Sequence, residues 1–275
     1  MHTMEEVKLI DIEKVFAAKN AGMLKLIPRF FINYLKHITH QDDINTFILS
    51  CKNIKDLEFA DAIINKFGAS VAIRGLENIP DQGRFVFAAN HPLGGLDGMV
   101  FIHAVSKKYR NIKFPVNDIL MNLTNFENIF LPVNKHGATG KNAARLMEEA
   151  FASEAQMLMF PAGMVSRKTK GIIRDAQWKK TFVAKAVKHH RDIIPVHISG
   201  QNSPFFYNLH NIRNFFGIKL NIEMLYLPDE MYKQNHKEIT ITFGKPIPWH
   251  DFHDKPTQQT ADKIKETTYS LAKNH

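Results

Sequence analysis

The feature that most restricts the fold of this chain is an alternation of short, apolar, β-rich runs with helical patterns. Strands that alternate with helices form mostly parallel sheets whose faces are covered by those helices. The alternation therefore predicts an α/β fold with a mixed, mostly parallel sheet flanked by helices. The expected strands lie at 71–74, 84–89, 114–116, 128–133, 157–160, 193–198, 220–227 and 238–243, and the expected helices at 98–108, 141–155 and 178–189.

The two ends of the chain have a different pattern. Residues 1–68 carry apolar side chains at helical spacing and few strand signals, so they predict an N-terminal helical segment. The tail at 251–275 is polar and helical in pattern. We therefore expect an N-terminal helical segment at 1–68 as a candidate membrane-interface element, an α/β domain at 69–250, and a C-terminal helical tail.

Charge and composition restrict the partners. A formal net charge of +9 favours anionic partners, which include nucleic acid, an acidic carrier protein, coenzyme phosphates and anionic lipid headgroups. The chain has no RNA-recognition signature and no helix-turn-helix pattern, so nucleic acid is not expected. The single cysteine, Cys51, excludes an intrachain disulfide, and the histidines form no metal motif, so no metal site is predicted.

The sequence predicts contact with a membrane surface without a spanning helix. No uncharged apolar run approaches the roughly 20 residues that cross a bilayer, and the acidic N-terminus is unlike a signal peptide. We therefore expect a cytoplasmic, peripheral protein. The stretch 23–37 mixes apolar, aromatic and basic residues as interfacial helices do, although packing on its own core is the alternative. The candidate membrane-contact residues are Leu26, Phe30, Phe31 and Tyr34.

A histidine and an aspartate flank a loop at the end of one predicted strand. His91 follows the run 84–89, and Asp97 precedes the helix expected at 98–108. Gly94 and Gly95 lie between them and permit a tight loop. Ligands of open α/β sheets bind at such strand ends. We therefore expect the loop to fold back and bring the Asp97 carboxylate to the His91 imidazole.

This pair would suit general-base catalysis. A carboxylate on one ring nitrogen fixes the tautomer and stabilises the imidazolium, and the other nitrogen then accepts a proton from a hydroxyl. Such assistance typically contributes about 10²–10⁴ in rate. On spacing alone, the alternative is that Asp97 caps the helix and His91 only hydrogen-bonds its own loop.

Four segments, taken in order, resemble the conserved blocks of the glycerolphosphate acyltransferase family. Asn90, His91 and Asp97 resemble its Asn-His block, in which four residues precede the aspartate; here five intervene. The variants at 90–97 and 160–163 look most like the haemolysin-like or aminolipid branch, which acylates lyso-ornithine and related lipids. The other three segments are 74–80, similar to the lead-in to the histidine, 159–167, similar to the Phe-Pro-Glu-Gly block, and 194–200, similar to the Val-Pro-Val block.

This resemblance implies an O-acyltransferase that moves a fatty acyl group from an acyl thioester to a lysolipid hydroxyl. The general base would be His91, supported by Asp97. The thioester, acyl carrier protein or CoA, would be a co-substrate, and no bound cofactor is expected. The expected partners are membrane lipids at the inner face of the membrane, the lysolipid acceptor and acyl carrier protein.

The resemblance also assigns residues to the oxyanion and the acceptor. Candidates for these two roles are Asn90, Gly163, Ser166, Arg167, Lys168 and Lys135, with backbone N–H groups near Gly163 as the oxyanion donors. Ser166 lacks the Gly-x-Ser-x-Gly setting of a covalent nucleophile. The apolar strand ends at 120–130 are expected to supply an acyl groove, with Leu120, Phe126 and Phe130 as candidates.

Two departures from the family leave the acceptor open. Ala162 occupies the position of the family's glutamate, and the segment 130–135 lacks its phosphate-binding arginine, for which Lys135 offers only a point charge. The acceptor is therefore either a lyso-aminolipid or 1-acylglycerol-3-phosphate. Two alternative functions also remain: a non-catalytic lipid-binding protein, and a thioesterase or hydrolase that uses the same pair.

Overall fold

The computed structural model describes residues 11–14, 28–117, 120–133, 137–252 and 257–273. Strands and helices alternate along it from residue 70 onwards. The strands are β1 (Ser70–Arg74), β2 (Phe85–Ala89), β3 (Ile112–Val116), β4 (Phe130–Pro132), β5 (Gln156–Met159), β6 (Arg167–Thr169), β7 (Ile172–Arg174), β8 (Asp192–Ile198) and β9 (Glu238–Phe243). The helices are α1 (Arg29–Ile38), α2 (Gln41–Ser50), α3 (Asp56–Lys66), α4 (Gly95–Val105), α5 (Gly137–Ala152), α6 (Thr181–Lys188), α7 (Pro204–Phe215), α8 (Leu227–Tyr232) and α9 (Gln258–Ser270).

Seven strands form one sheet in the order β1-β9-β8-β2-β5-β3-β4. Every neighbouring pair is parallel except β8 and β9, which are antiparallel. The strands β6 and β7 form a separate antiparallel hairpin. The prediction of a mixed, mostly parallel sheet flanked by helices is therefore confirmed.

The central strand β2 is buried on both faces. Phe87 and Ala89 pack in the core beneath α3 and α4, whereas Val86 and Ala88 pack in the opposite core with Phe182 of α6. Burial on both faces explains why this strand is a continuous apolar run rather than an alternating one. It also fixes the position of the loop that leaves its carboxyl end.

The described part of the N-terminal segment is helical, as expected, and α1 contacts the rest of the protein through a tyrosine pair. The Tyr34 hydroxyl lies 2.8 Å from the hydroxyl of Tyr226, in the 3-10 turn Ile222–Tyr226. Of the helices that the structure describes, none combines the length and apolar character that crossing a bilayer requires.

The strand prediction for 220–227 is wrong. This segment forms the 3-10 turn Ile222–Tyr226 and then enters α8, whose first turn contains Pro228. Proline suits a helix start because its fixed φ is helical and it has no N–H to leave unbonded. Glu223 is also turned inward and completely buried, with its carboxylate against two arginines, a placement that apolar periodicity does not reveal.

All three expected helices begin at other residues in the structure, and the helix expected at 141–155 is α5, which begins at Gly137. The helix expected at 98–108 begins at Gly95, because Asp97 in its first turn accepts the N–H groups of Leu93 and Gly94. The helix expected at 178–189 begins at Thr181, because Trp178 belongs to the preceding loop and is buried there.

Candidate active site

The candidate site lies where two neighbouring strands end. Because β2 and β5 are parallel neighbours, His91 just beyond β2 lies next to Phe160 just beyond β5. The two rings are stacked, with centroids 3.9 Å apart and planes 12° from parallel. The imidazole therefore has a flat apolar support on one face, which restricts its orientation.

The His91 imidazole and the Asp97 carboxylate are in direct contact, as the sequence predicted. Nδ1 lies 3.1 Å from Oδ1 and 3.0 Å from Oδ2. A carboxylate only accepts hydrogen bonds, so Nδ1 carries the proton in the neutral ring and Nε2 keeps its lone pair. Asp97 is completely buried, whereas 17% of the His91 side chain is exposed, so a substrate can approach the imidazole.

The loop between the two residues closes around the same carboxylate. Asp97 Oδ2 accepts the backbone N–H of Leu93 at 2.8 Å and that of Gly94 at 3.3 Å. Gly94 has a φ of +93°, a conformation that side-chain-bearing residues rarely adopt. The five intervening residues are thus accommodated with the His–Asp contact intact.

A buried carboxylate that the sequence analysis did not identify holds the backbone of His91. Asp175 Oδ1 accepts the His91 N–H at 3.1 Å and the Ser166 hydroxyl at 2.6 Å, and its Oδ2 accepts the indole N–H of Trp178 at 2.8 Å. Its own N–H donates to the Tyr269 hydroxyl at 2.8 Å. Asp175 therefore joins the His91 loop to Ser166, Trp178 and Tyr269. No local sequence pattern predicts this role.

Ser166 adds a second link to the His91 loop. Its backbone N–H donates to the His91 carbonyl at 2.7 Å, and its side chain is buried. Together with Asp175, it fixes both the N–H and the carbonyl of His91. The backbone at the candidate base is therefore hydrogen-bonded on both sides.

Asn90 joins the ends of β2 and β8. Its amide donates to the Ile198 carbonyl at 2.8 Å, and its amide oxygen accepts the Ile198 N–H at 2.7 Å. The side chain thus replaces a strand-to-strand pairing just where β2 ends. A buried amide that is satisfied at both ends fixes the starting point of the His91 loop.

The turn after β5 contains Gly163, near which the sequence analysis predicted the oxyanion donors. Gly163 has a φ of +68°, and its N–H donates to the Phe160 carbonyl at 2.9 Å. A Cβ at Gly163 would lie 2.9 Å from the Lys179 ammonium nitrogen. Ala162, at the family's glutamate position, is buried. Lys179, which the sequence analysis did not single out, is thus an exposed cation against this turn.

Arg167 belongs to a buried charge cluster. Its guanidinium lies 3.1 Å from Glu223, which also contacts Arg213 at 2.9 Å and His210 at 3.0 Å. Burial by itself raises the pKa of Glu223, but the hydrogen bond from His210 and the two guanidinium charges outweigh it and hold the pKa below its ordinary value. The cluster fastens β6 to α7 and to the 3-10 turn Ile222–Tyr226.

The residues predicted to bind the oxyanion or the acceptor have different surroundings in the structure. Asn90, Ser166 and Arg167 have hydrogen-bond or ionic partners inside the protein, and direct substrate contact by these three side chains stays a prediction. Lys168 is exposed on β6, next to Arg167. Lys135 lies outside the described residues.

The structure differs from the expected acyl groove. Phe126 and Phe130 are both buried and stack on each other with centroids 4.4 Å apart, and Leu120 packs against the same core. They therefore serve as core residues rather than as an open groove surface, because Phe130, at the start of β4, completes the packing around Phe114.

Three of the four candidate membrane-contact residues are on α1. Phe30, Phe31 and Tyr34 are exposed, as an interfacial helix requires, while Ile32 and Leu35 are buried. Their contact with a membrane stays a prediction. Leu26 lies outside the described residues.

A small polar cavity of about 170 Å³ adjoins the His91 loop on the side of β8. Asn90, Ser166, His197, Gln201 and Tyr269 are among its lining residues. Burial lowers the pKa of His197 to about 4, so its imidazole is neutral at physiological pH.

Comparisons with known proteins identify the family of this chain. The model of the family described as Acyltransferase matches residues 14–274. The lyso-glycine lipid O-acyltransferase of Phocaeicola vulgatus is 46% identical over 271 residues, which are 98% of this chain and 97% of that protein. The protein of the same name from Bacteroides thetaiotaomicron is 44% identical over 271 residues, covering 98% of this chain and 100% of its own length.

A crystal structure was also found, that of PlsC, the 1-acyl-sn-glycerophosphate (LPA) acyltransferase of Thermotoga maritima. It has a TM-score of 0.46 and 16% sequence identity, and the comparison covers 90% of this chain and 93% of that one. The family match extends over nearly all of the sequence, and the two curated relatives cover it equally. The chain therefore belongs to the acyltransferase family and is an O-acyltransferase.

Proposed function

We propose that this enzyme transfers a fatty acyl group from a thioester to the hydroxyl of a lyso-aminolipid, with a glycine-bearing lysolipid as the first candidate acceptor. The observation that carries the proposal is the buried Asp97 carboxylate on Nδ1 of His91. It supports a general-base role for a ring whose Nε2 is unprotonated. The substrate class is suggested by the name that the two full-length relatives share.

The reaction would proceed in two steps at Nε2 of His91. The acceptor hydroxyl oxygen attacks the thioester carbonyl carbon while Nε2 takes its proton, and Asp97 stabilises the imidazolium that forms. The tetrahedral intermediate then expels the thiolate, which receives the same proton. The products are the ester and a free thiol, and His91 returns to its neutral form. The oxyanion donors are expected from backbone N–H groups of the turn at 162–165 other than that of Gly163, which donates to the Phe160 carbonyl.

Two exposed lysines support an anionic acceptor. Lys179 lies against Gly163 in this turn, and Lys168 follows Arg167 at the start of β6. A lysine ammonium is a point charge that pairs with a carboxylate or with a phosphate. Together with the buried Ala162, which replaces the family's glutamate, this favours a glycine-type carboxylate, and 1-acylglycerol-3-phosphate is the second candidate.

The net charge of the chain bears on the acyl donor, and the lipid acceptor bears on where the enzyme works. Acyl carrier protein is acidic and CoA carries phosphates, so both suit a chain of net charge +9. Its acceptor is a lipid, so we propose that the enzyme works as a peripheral protein on the inner face of the membrane.

The test combines each donor with each acceptor. The purified protein is incubated with a labelled acyl group carried as a thioester on acyl carrier protein or on CoA. The acceptor is lyso-glycine lipid, lyso-ornithine lipid or 1-acylglycerol-3-phosphate. We expect label in the diacylated aminolipid, with the glycine lipid as the best acceptor. Transfer to 1-acylglycerol-3-phosphate alone would contradict the proposed acceptor. Acceptor-independent release of free fatty acid would indicate a thioesterase, and binding without turnover a non-catalytic protein.

A further inference from the structure

A helix on the surface of this enzyme is apolar on the side that faces solvent. The α7 side chains Phe206 and Tyr207 are buried, as expected for packing on the domain. Yet Phe205, Ile212 and Phe216 are exposed, and half-buried Leu209 lies between them. Positions i, i+4, i+7 and i+11 share one face of an α-helix, so these four residues form a continuous stripe.

The stripe continues past the end of the helix. Phe215 is 85% exposed and Phe216 is 70% exposed, and their rings contact each other with centroids 5.2 Å apart. Ile218 and Leu220 follow and are exposed on either side of Lys219. Apolar side chains of this size are rarely left in water as a group without a partner surface.

Tyr226 joins this stripe to α1. Its ring lies 4.9 Å from that of Phe205, and its hydroxyl is 2.8 Å from the hydroxyl of Tyr34. Tyr226 therefore links exposed Tyr34 of α1 to exposed Phe205 of α7, and the exposed apolar residues of the two helices meet at this point to form one surface. We call this surface the aromatic face, and its residues are Phe30, Phe31, Tyr34, Phe205, Ile212, Phe215, Phe216, Ile218 and Leu220.

The segments that form and flank the aromatic face carry cations only, although Glu13 and Asp229 of neighbouring segments pair with Lys36 and His40 at α1. The segments 28–40, 164–174 and 193–222, which include α1, the β6–β7 hairpin and α7, contain no aspartate or glutamate. They contribute exposed Arg29, Lys168, Lys170 and Lys219. An apolar surface with cations and no anions in its own segments suits an anionic lipid bilayer, in which the rings enter the acyl boundary and the cations meet the headgroups.

The aromatic face is also fastened to the candidate active site. Arg167 of β6 pairs with Glu223, which also pairs with Arg213 of α7. The residue before Arg167 is Ser166, whose N–H donates to the His91 carbonyl at 2.7 Å. A short chain of buried contacts thus holds α7 at a fixed position relative to His91.

We infer that the aromatic face docks the enzyme on an anionic bilayer, with the 205–220 segment as a membrane-inserting element in addition to α1. The choice of a lipid surface rests on the proposed function. A second copy of this chain is the competing occupant. In a dimer of two aromatic faces, the cations of one copy would face the same cations of the other copy. An anionic bilayer neutralises these cations instead.

The decisive test places a fluorescent reporter on the aromatic face. Phe216→Trp is mixed with vesicles of phosphatidylglycerol and phosphatidylethanolamine that contain neither acyl donor nor acceptor. We expect its emission, taken as the difference from the wild type with its Trp178 and Trp249, to shift to the blue and to be quenched by brominated acyl chains. Leu49→Trp, at an exposed position on α2, is the matched reporter and is expected to show neither change. An unshifted Phe216→Trp spectrum with vesicle-bound protein would overturn the inference.

Sedimentation with the same vesicles measures how much Phe215 and Phe216 contribute to membrane binding. Phe215→Ser/Phe216→Ser is expected to lower vesicle partitioning by about tenfold or more, because two large rings lose their apolar burial. The control Leu49→Ser/Ile54→Ser removes two exposed apolar side chains elsewhere and is expected to partition as the wild type does. Equal partitioning of the two double variants would contradict the assignment, and urea unfolding verifies that both are folded.

Two further measurements separate the competing explanations. Sedimentation velocity without lipid is expected to show a monomer, and a dimer that Phe215→Ser/Phe216→Ser dissociates would assign the aromatic face to a second copy instead. Vesicle binding requires no turnover. Failure of acyl transfer with lysolipid dispersed in detergent would therefore overturn the proposed function while leaving the docking result intact.

Discussion

The Asp175 carboxylate accepts the backbone N–H of His91 across 3.1 Å, although 84 residues separate the two in the chain. The same oxygen accepts the Ser166 hydroxyl, so a single buried group connects the His91 loop to the turn after β5. The position of the imidazole thus depends on a residue that need not touch any substrate. We regard Asp175 as a positioning residue.

Asp175→Asn is expected to lower kcat by about tenfold or more with little change in KM, because the NH2 group that replaces one carboxylate oxygen is a donor and cannot accept a hydrogen bond from the former donors of that oxygen. Steady-state kinetics with separately varied donor and acceptor check this. Asp192→Asn is the matched control, since Asp192 accepts the Trp249 N–H at the opposite end of β8. If both variants lose only stability and keep kcat, Asp175 has no positioning role.

The His91–Asp97 pair is expected to carry the proton transfer. His91→Ala should reduce transfer by about 10²–10⁴ while the urea midpoint stays near that of the wild type. Asp97→Asn should reduce both activity and stability, because Asp97 also accepts the Leu93 N–H at the start of α4. Wild-type turnover in His91→Ala would remove this residue from the mechanism.

Lys179 is expected to bind the anionic group of the acceptor. Lys179→Ala should raise the KM for the acceptor by about tenfold and leave the KM for the donor unchanged, since one solvent-accessible charge pair is lost. Lys179→Arg should recover part of the affinity. Lys180→Ala provides the control, because this neighbouring lysine is also exposed. Equal acceptor KM values for the two alanine variants would argue against the assignment.

Arg191 is expected to be a stability residue. It is completely buried, and its guanidinium donates to the carbonyls of Ala150, Phe151 and Ala155 around the end of α5. Burial lowers its pKa to about 10, so it is charged at neutral pH. Arg191→Met should lower the free energy of unfolding by about 3 kcal/mol, because these carbonyls lose their donors.

Urea denaturation measures this effect. Arg84→Met is the comparison, since Arg84 is partly exposed and donates only at 3.3–3.4 Å to two carbonyls. A smaller loss of stability in Arg191→Met than in Arg84→Met would contradict the prediction.

His197 is expected to make the fold less stable in mild acid. Its pKa is about 4 in the folded protein, because of burial, and about 6.5 in an unfolded chain. Between these values the unfolded state binds more protons, so the free energy of unfolding falls as the pH drops from about 6.5 towards 4. His197→Gln should lack this part of the pH dependence.

Unfolding at several pH values between 7.5 and 4 checks the His197 prediction. The stability advantage of the wild type over His197→Gln should shrink steadily as the pH falls. His37→Gln, at an exposed position on α1, serves as the control. A difference between wild type and His197→Gln that stays constant with pH would refute the assignment.

The sheet was predictable because its strands are local signals. The strand predicted at 238–243 has the observed bounds, β8 differs from prediction by one residue at its start, and β5 differs by one residue at each end, since each is a compact apolar run. The His91–Asp97 contact was predictable for the same reason, because two glycines and a short loop bring the residues together. The catalytic roles stay predictions.

Other features were not predictable because their causes are distant in sequence. The segment around Glu223 has the apolar alternation of a strand, but pairing with Arg167, 56 residues away, turns it inward. Asp175 follows an unremarkable basic hairpin, and its partners at His91 and Tyr269 lie on other elements. Single-sequence periodicity contains no information on such long-range polar contacts.

The carboxylate of Asp97, in the first turn of α4, accepts the N–H groups of Leu93 and Gly94 just before that helix and contacts the imidazole at the same time. Orientation of the imidazole and capping of that helix consequently depend on one carboxylate. On the proposed mechanism, a molecule in which the first turn of α4 has frayed would also have released its base and would be inactive.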